Sequence, residues 1–227
     1  TLNSTTVSAW ADLSVNGVNL SQGVSANQPG YAYASSGSTL MQNNENILWF
    51  GDTNDSLASS ATVAITSGAL TLLGGYSYNF ARSAGTERLF QSAVTGSLGF
   101  YWSLNDSAPL GGAASGSMTI AANNTAANSF RSAPSTFATL KSGFNLSGMK
   151  RIDIHTLGTG LTIRINNQLI SSANAAAAAV SNFTQTLQVG NSMVGAVMQI
   201  MLFDAVVNQA DVTDLYNAIR ETYGETV

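Results

Sequence analysis

The chain has 227 residues, a net charge of −4 and 9% charged residues, against about 25% in an ordinary soluble domain, so Ser, Thr, Asn, Gln, Gly and Ala must supply most of its surface. Its 8 lysines and arginines form no basic patch that could neutralise a run of phosphates, which argues against a nucleic-acid partner. The lack of cysteine removes thiol catalysis, disulfide staples and Cys-ligated zinc, while 44% apolar content argues for a sizeable core rather than disorder.

The length fits one all-β domain over residues 1–227. The chain begins at Thr1 without Met or an apolar leader, as expected of a processed product or a piece of something longer. Early in the chain, "ILWF" breaks at Gly51 into Asp52, Asn54 and Asp55 before apolar character returns at Leu57. An oxygen-rich loop of this kind can hold Ca²⁺, an ion that prefers carboxylate and carbonyl oxygens. The same residues also spell an Asx-type turn between strands, and turn chemistry alone accounts for all of them. Calcium held by Asp52 and Asp55 is therefore the alternative to a bare turn.

Apolar and polar residues then alternate with period two. In "YSYNFARS", Tyr76, Tyr78 and Phe80 share one face and Ser77 and Asn79 the other. In "GFYWSL", Phe100, Trp102 and Leu104 oppose Tyr101 and Ser103. The stretch from Asp106 to Phe130, dense in Gly, Ala, Ser and Asn, lacks clear punctuation and has room for weak strands. In "GLTIRINNQLI", Leu161, Ile163 and Ile165 oppose Thr162, Arg164 and Asn166, and Asn167 turns the chain back as a hairpin. Ala175 to Ala179 reads as a loop between strands, despite the helix propensity of alanine. "AVMQIMLF" is apolar on both faces apart from Gln199, as a central strand covered on each side would be. It is too short and interrupted for a membrane span.

One helix is predicted, at about 209–223. Asn208 is its N-cap with Asp211 three residues on, Val212, Leu215 and Ile219 form an apolar stripe, and Gly224 stands at the stop. Such a helix is expected to lie across one edge of a sandwich. No repeat of about 20–50 residues is visible, which argues against solenoids and propellers.

The opening "VSAWADLSVNGVNLSQGVSANQPGY" resembles the start of concanavalin A-like, laminin-G-like jelly-roll domains of bacterial and phage surface proteins. Trp10, Asp12, Ser14, Asn16, Gly17, Gln22, Gln28, Pro29 and Tyr31 carry the likeness. "WFGDTNDSLA" is similar to that family's next element, and the closing stretch from Thr184 to Gly224 to its finish of two glycines, a long strand and a helix. The turn glycine that members often carry at the hairpin of Asn166 to Gln168 is absent here. The resemblance implies an antiparallel β-sandwich of jelly-roll type with one C-terminal α-helix. It also implies the uses of such domains: glycan binding, adhesion, phage fibres, capsid decoration and companionship to enzymes. Many relatives carry calcium at strand-connecting loops, which bears on Asp52 and Asp55.

Fold alone does not give function, so the chemistry is weighed by residue. Glycan-cutting relatives use two carboxylates about 5 to 10 Å apart, arranged on one strand as alternating acids. That pattern is missing, and Glu45, Glu87, Glu221 and Glu225 are scattered. His155 follows Asp153 by two, which puts them on one strand face about 7 Å apart by strand rise, too far for a catalytic hydrogen bond. Glycan recognition uses exposed aromatics beside polar side chains, and Tyr76, Tyr78 and Tyr101 are the candidates. Tyr101 is foremost, because burial of Phe100 and Trp102 would turn it outward. The resulting expectation is a non-enzymatic module of a phage virion or extracellular protein, a head-decoration, fibre or adhesion domain. Its partner is a glycan or a protein subunit, with a homo-oligomer among the options. The alternative is a carbohydrate-binding module of a secreted bacterial enzyme or adhesin, and a glycoside hydrolase stands third. No cofactor beyond calcium is expected.

Overall fold

The computed structural model describes residues 2–3, 6–32, 47–51, 54–78, 87–92, 100–106, 117–122, 129–131, 151–157, 161–165, 168–173, 182–193 and 195–223. Their strands, numbered along the chain, form two large sheets. One runs β1 (Leu2–Asn3), β2 (Thr6–Val7), β5 (Gly30–Ala32), β6 (Ile47–Phe50), β19 (Gly195–Phe203), β9 (Leu70–Tyr78), β14 (Arg151–Leu157), β15 (Leu161–Ile165) and β16 (Gln168–Ala173). The other runs β13 (Ser129–Arg131), β12 (Ser117–Ala122), β11 (Phe100–Asp106), β10 (Glu87–Ser92), β18 (Leu187–Asn191), β7 (Leu57–Ser59), β4 (Leu20–Ser21) and β3 (Ala9–Trp10). A ribbon of β8 (Val63–Ile65) and β17 (Phe183–Gln185) completes the set. The pairings among the described residues are antiparallel.

Period-two alternation explains the layering, because it gives each strand one apolar face to bury. Phe50, Leu70, Leu72 and Val197 from the nine-stranded sheet pack with Leu57, Leu89, Phe90, Phe100, Trp102, Leu187 and Val189 from the eight-stranded sheet. Phe100 bridges this core, with its ring centroid 5.5 Å from that of Phe90 and 5.8 Å from that of Phe183. The hairpin predicted at Asn166 is present in the register of β15 on β16, where Ile165 pairs with Gln168. The Gly/Ala/Ser-rich stretch after Asp106 does contribute strands, β12 and β13. Gly224 and Ala175 to Ala179 lie outside the described residues.

Helix α1 spans Gln209–Tyr223. Its cap forms as the sequence predicts: the Asp211 amide donates to Asn208 Oδ1 at 2.9 Å, and Asn208 Nδ2 donates to the Asp211 carboxylate. Its position differs from the expectation. Rather than lying across an edge, α1 buries Val212, Tyr216, Ile219 and Tyr223 against Ile47, Leu73, Ala196 and Met198 on the outer face of the nine-stranded sheet. The two-sided apolar strand β19 is the reason. Val197 faces the inter-sheet core, Ala196 and Met198 face outward, and the helix laid over the sheet removes the outward set from water. The nine-stranded sheet is thereby covered on its outer side at β6, β9 and β19, and the outer face of the other sheet is the place to look for a site.

Candidate functional site

The acids come first, because the sequence offered them as a metal site. Asp55 is buried and its carboxylate accepts the Gly51 amide at 2.7 Å, closing the turn after β6. Asp52 lies outside the described residues. Among the described residues no group of three His, Cys, Asp or Glu side chains could hold a metal ion. Asp12 braces the loop between β3 and β4: its carboxylate accepts from the Ser14 amide, the Ser14 hydroxyl and the Val18 amide, each at 2.8 Å. The Ser14 amide is the main reason its pKa is lowered; partial desolvation opposes, and the Ser14 hydroxyl and Val18 amide add to the lowering. Asp204, after β19, accepts from the Thr66 amide and hydroxyl and the Ser67 amide at 2.8 to 3.1 Å. Desolvation, the largest single influence, pushes Asp204 up, yet its hydrogen bonds with Ser67 and Thr66 together hold it down at about 2.

The opening residues behind the family resemblance do similar work. Thr6 Oγ1 donates to Gln28 Oε1 at 2.8 Å, Gln28 Nε2 to the Gln22 carbonyl at 2.9 Å, and Gln22 Nε2 to Ser56 Oγ at 3.2 Å. These side chains tie the N-terminal segments to the loop before β7. They are architecture, not chemistry.

The three candidate tyrosines are not brought together. Tyr76 and Tyr78 belong to β9 in the nine-stranded sheet and Tyr101 to β11 in the eight-stranded sheet. Phe100 and Trp102 are buried in the core, so Tyr101 does take the opposite face, as expected. The expectation of an open stacking ring is corrected, however. Tyr101 is only 4% exposed, and the Arg88 guanidinium sits 4.9 Å from its ring centroid. A sugar cannot stack where a cation already covers the ring. Asp153 and His155 lie on β14, paired with Ile165 and Ile163 of β15.

What Tyr101 does is anchor a row of polar residues. Register places Tyr101, Gln91, Gln188, Ala58 and Ser21 side by side across β11, β10, β18, β7 and β4. Four strand spacings make the row about 19 Å long. Exposure rises along it: Tyr101 and Gln91 are buried, Gln188 is half-buried, and Ala58 and Ser21 are exposed. Arg88 donates to Gln91 Oε1, Gln91 Nε2 donates to Gln188 Oε1, and Asn191 Nδ2 reaches the same oxygen at 3.5 Å. A guanidinium, three side-chain amides and a floor of two small residues thus share one surface.

Sequence alternation misses this cluster for a physical reason. Arg88 and Gln91 are three residues apart, as are Gln188 and Asn191, and a regular strand puts such pairs on opposite faces. A register shift between Arg88 and Phe90 against β11 interrupts the alternation on β10. On β18 the interruption is Gly190, with φ of 68°. A bulge re-aims side chains without leaving a periodic trace in the sequence.

No family model matches the chain, and no curated protein matches it. Solved structures do. The receptor-binding domain of botulinum neurotoxin D superposes with a TM-score of 0.55 at 10% identity, over 95% of this chain and 53% of that one. The serotype D ligand-binding domain in complex with N-acetylneuraminic acid gives 0.52 at 9% identity, over 94% and 51%. Trypanosoma rangeli sialidase in complex with 2,3-difluoro-KDN gives 0.54 at 10% identity, over 99% and 32%. This chain therefore spans about half the length of the neurotoxin domains and a third of the sialidase. At such identity the likeness establishes the fold: an antiparallel β-sandwich with one C-terminal helix, of the kind those binding domains are built on.

Proposed function

We propose that this chain is a non-catalytic, laminin-G-like jelly-roll module of a virion or an extracellular protein, and that it recognises a glycan on the outer face of its eight-stranded sheet. The observation that carries the reading is the lateral row from Gln91 through Gln188 to Ala58 and Ser21. Sugar hydroxyls accept as well as donate, and side-chain amides held on paired strands offer them donors at fixed positions. Ala58 and Ser21 leave room for a ring beside Gln188 without a side chain that must be displaced. Among the proteins that share this fold is a ligand-binding domain in complex with N-acetylneuraminic acid, which is in keeping with a glycan reading.

The absence of catalysis in this reading rests on the acids. A glycosidase needs one carboxyl held protonated by a raised pKa, whereas Asp12 and Asp204 are both lowered and both tied to backbone amides of turns. Calcium stays outside the reading, since Asp55 is turned inward onto the Gly51 amide.

One observation favours a second reading, a protein subunit as partner. Leu13 and Val15, on the loop braced by Asp12, are 96% and 103% exposed, and apolar side chains presented on such a hydrogen-bonded loop suit a socket on another protein. A glycan array, with light scattering on the same samples, tests both. Retention of a glycan by a monomer, weakened about tenfold or more by Gln188→Ala, supports the first reading. No glycan retained, or retention untouched by Gln188→Ala, overturns it, and an assembly without glycan binding supports the second.

A further inference from the structure

We infer that the ligand of this face carries a carboxylate, which makes it an acidic sugar of the uronate or sialate class. The inference rests on the glycan reading above and adds a charge requirement to it. It follows from the direction in which the hydrogen bonds of the row must run.

Arginine can only donate. Gln91, which accepts from Arg88, must therefore turn its Oε1 toward the guanidinium and its Nε2 toward Gln188. Gln188 must answer with Oε1, and the Asn191 amide donates to that same oxygen. The orientation of each amide is thus set by the one group that has no acceptor, without an arbitrary choice of oxygen and nitrogen. The group left over at the half-buried end of the chain is Gln188 Nε2, a donor. Beside Gln188 stand the exposed Ala58 and Ser21.

Arg88 itself is held by two contacts, the bond to Gln91 and its place over Tyr101, and no carboxylate among the described residues pairs with it. In a chain with a net charge of −4, a half-buried guanidinium that no described carboxylate pairs with is suited to an external anion. The unspent groups of the row are mainly donors with one positive charge among them. A hydroxyl satisfies such a set weakly, and a carboxylate does so with charge-assisted bonds about twice as strong. The buried Gln91, 8% exposed, fixes the geometry from beneath.

The test compares ligands that differ only in charge. Binding of oligogalacturonate is measured by calorimetry against its fully methyl-esterified form, and sialyllactose against lactose, with wild type, Arg88→Gln and Gln188→Glu. The expected result is a preference of about 10- to 100-fold for at least one acidic member of the two pairs. Arg88→Gln should erase that preference, and Gln188→Glu, which places a repelling carboxylate at the open end, should abolish acidic binding while circular dichroism stays unchanged. Equal or better binding of the neutral members overturns the charge requirement and leaves the glycan reading standing. Binding of no member of either pair, where an array shows a neutral glycan retained, overturns it likewise. A preference that survives both substitutions moves the acidic site off this face and overturns the inference.

Discussion

Gly190 joins the fold to the candidate site, and replacing it with alanine should be costly for two separable reasons. Its φ of 68° lies in the left-handed region, where a Cβ costs about 1 kcal/mol. The added Cβ would also stand far inside van der Waals contact of Phe50 Cδ1 and Cε1, and 3.0 Å from the Asp55 carbonyl oxygen. Phe50 is fully buried and cannot swing into water, so relief requires a shift of the ring or of β18, about 1–3 kcal/mol for overpacking. The sum is about 2–4 kcal/mol, a large part of the roughly 5–15 kcal/mol that holds a domain together. For a chain of this size that means a melting temperature lower by about 5–15 °C. Gly17 is the control, because its φ is 61° and an added Cβ meets nothing within 4 Å. Gly17→Ala should therefore show the backbone part alone, about 1 kcal/mol. Urea and thermal unfolding followed by tryptophan fluorescence would measure both, and a cycle with Phe50→Leu would show coupling of about 1 kcal/mol or more in the favourable direction. If Gly190→Ala costs no more than Gly17→Ala, or shows no coupling to Phe50, the account of β18 packed onto Phe50 is wrong.

Two further outcomes follow from hydrogen bonds within β19 and just after it. The folded-state pKa of Asp204, about 2, lies below its ordinary value of 3.8, so its ionised form stabilises the fold at higher pH. That contribution fades as pH falls from about 4 to about 2. Because Asp204 is exposed, solvent screening limits it to the order of 1 kcal/mol, and Asp204→Asn should flatten the stability profile across that acid window in urea titrations. Met198 sits where β19 shifts register against β9, and its carbonyl accepts the buried Tyr223 hydroxyl at 3.1 Å. Tyr223→Phe should cost about 1–2 kcal/mol, read as a lower urea midpoint with an unchanged slope.

Much of the architecture was already legible in the pattern of residues. Alternation in "GFYWSL" put Phe100 and Trp102 on the core side, where they are found. Two-sided apolarity marked the stretch from Ala196 to Phe203 as a central strand, and β19 lies between β6 and β9. Asn208 and Asp211 located the start of the helix. These features depend on local chemistry, in which each residue's preference is expressed within a turn or a few strand positions.

The candidate site was not legible in the same way. The tyrosines read as stacking platforms sit in different sheets, and Tyr101 lies beneath a cation from β10. Gln91 and Gln188 are 97 residues apart in sequence, and the pairs three apart that complete the cluster meet only because a register shift and a left-handed glycine interrupt two strands. Composition and periodicity determined that this chain is a weakly charged, two-layered antiparallel sandwich ending in a helix, since alternation dictates which face each strand buries. Tertiary pairing decided that α1 covers one sheet and that Arg88, Gln91, Gln188 and Asn191 share the outer face of the other, since register and strand irregularities follow from which strands pair, and no single strand carries that choice.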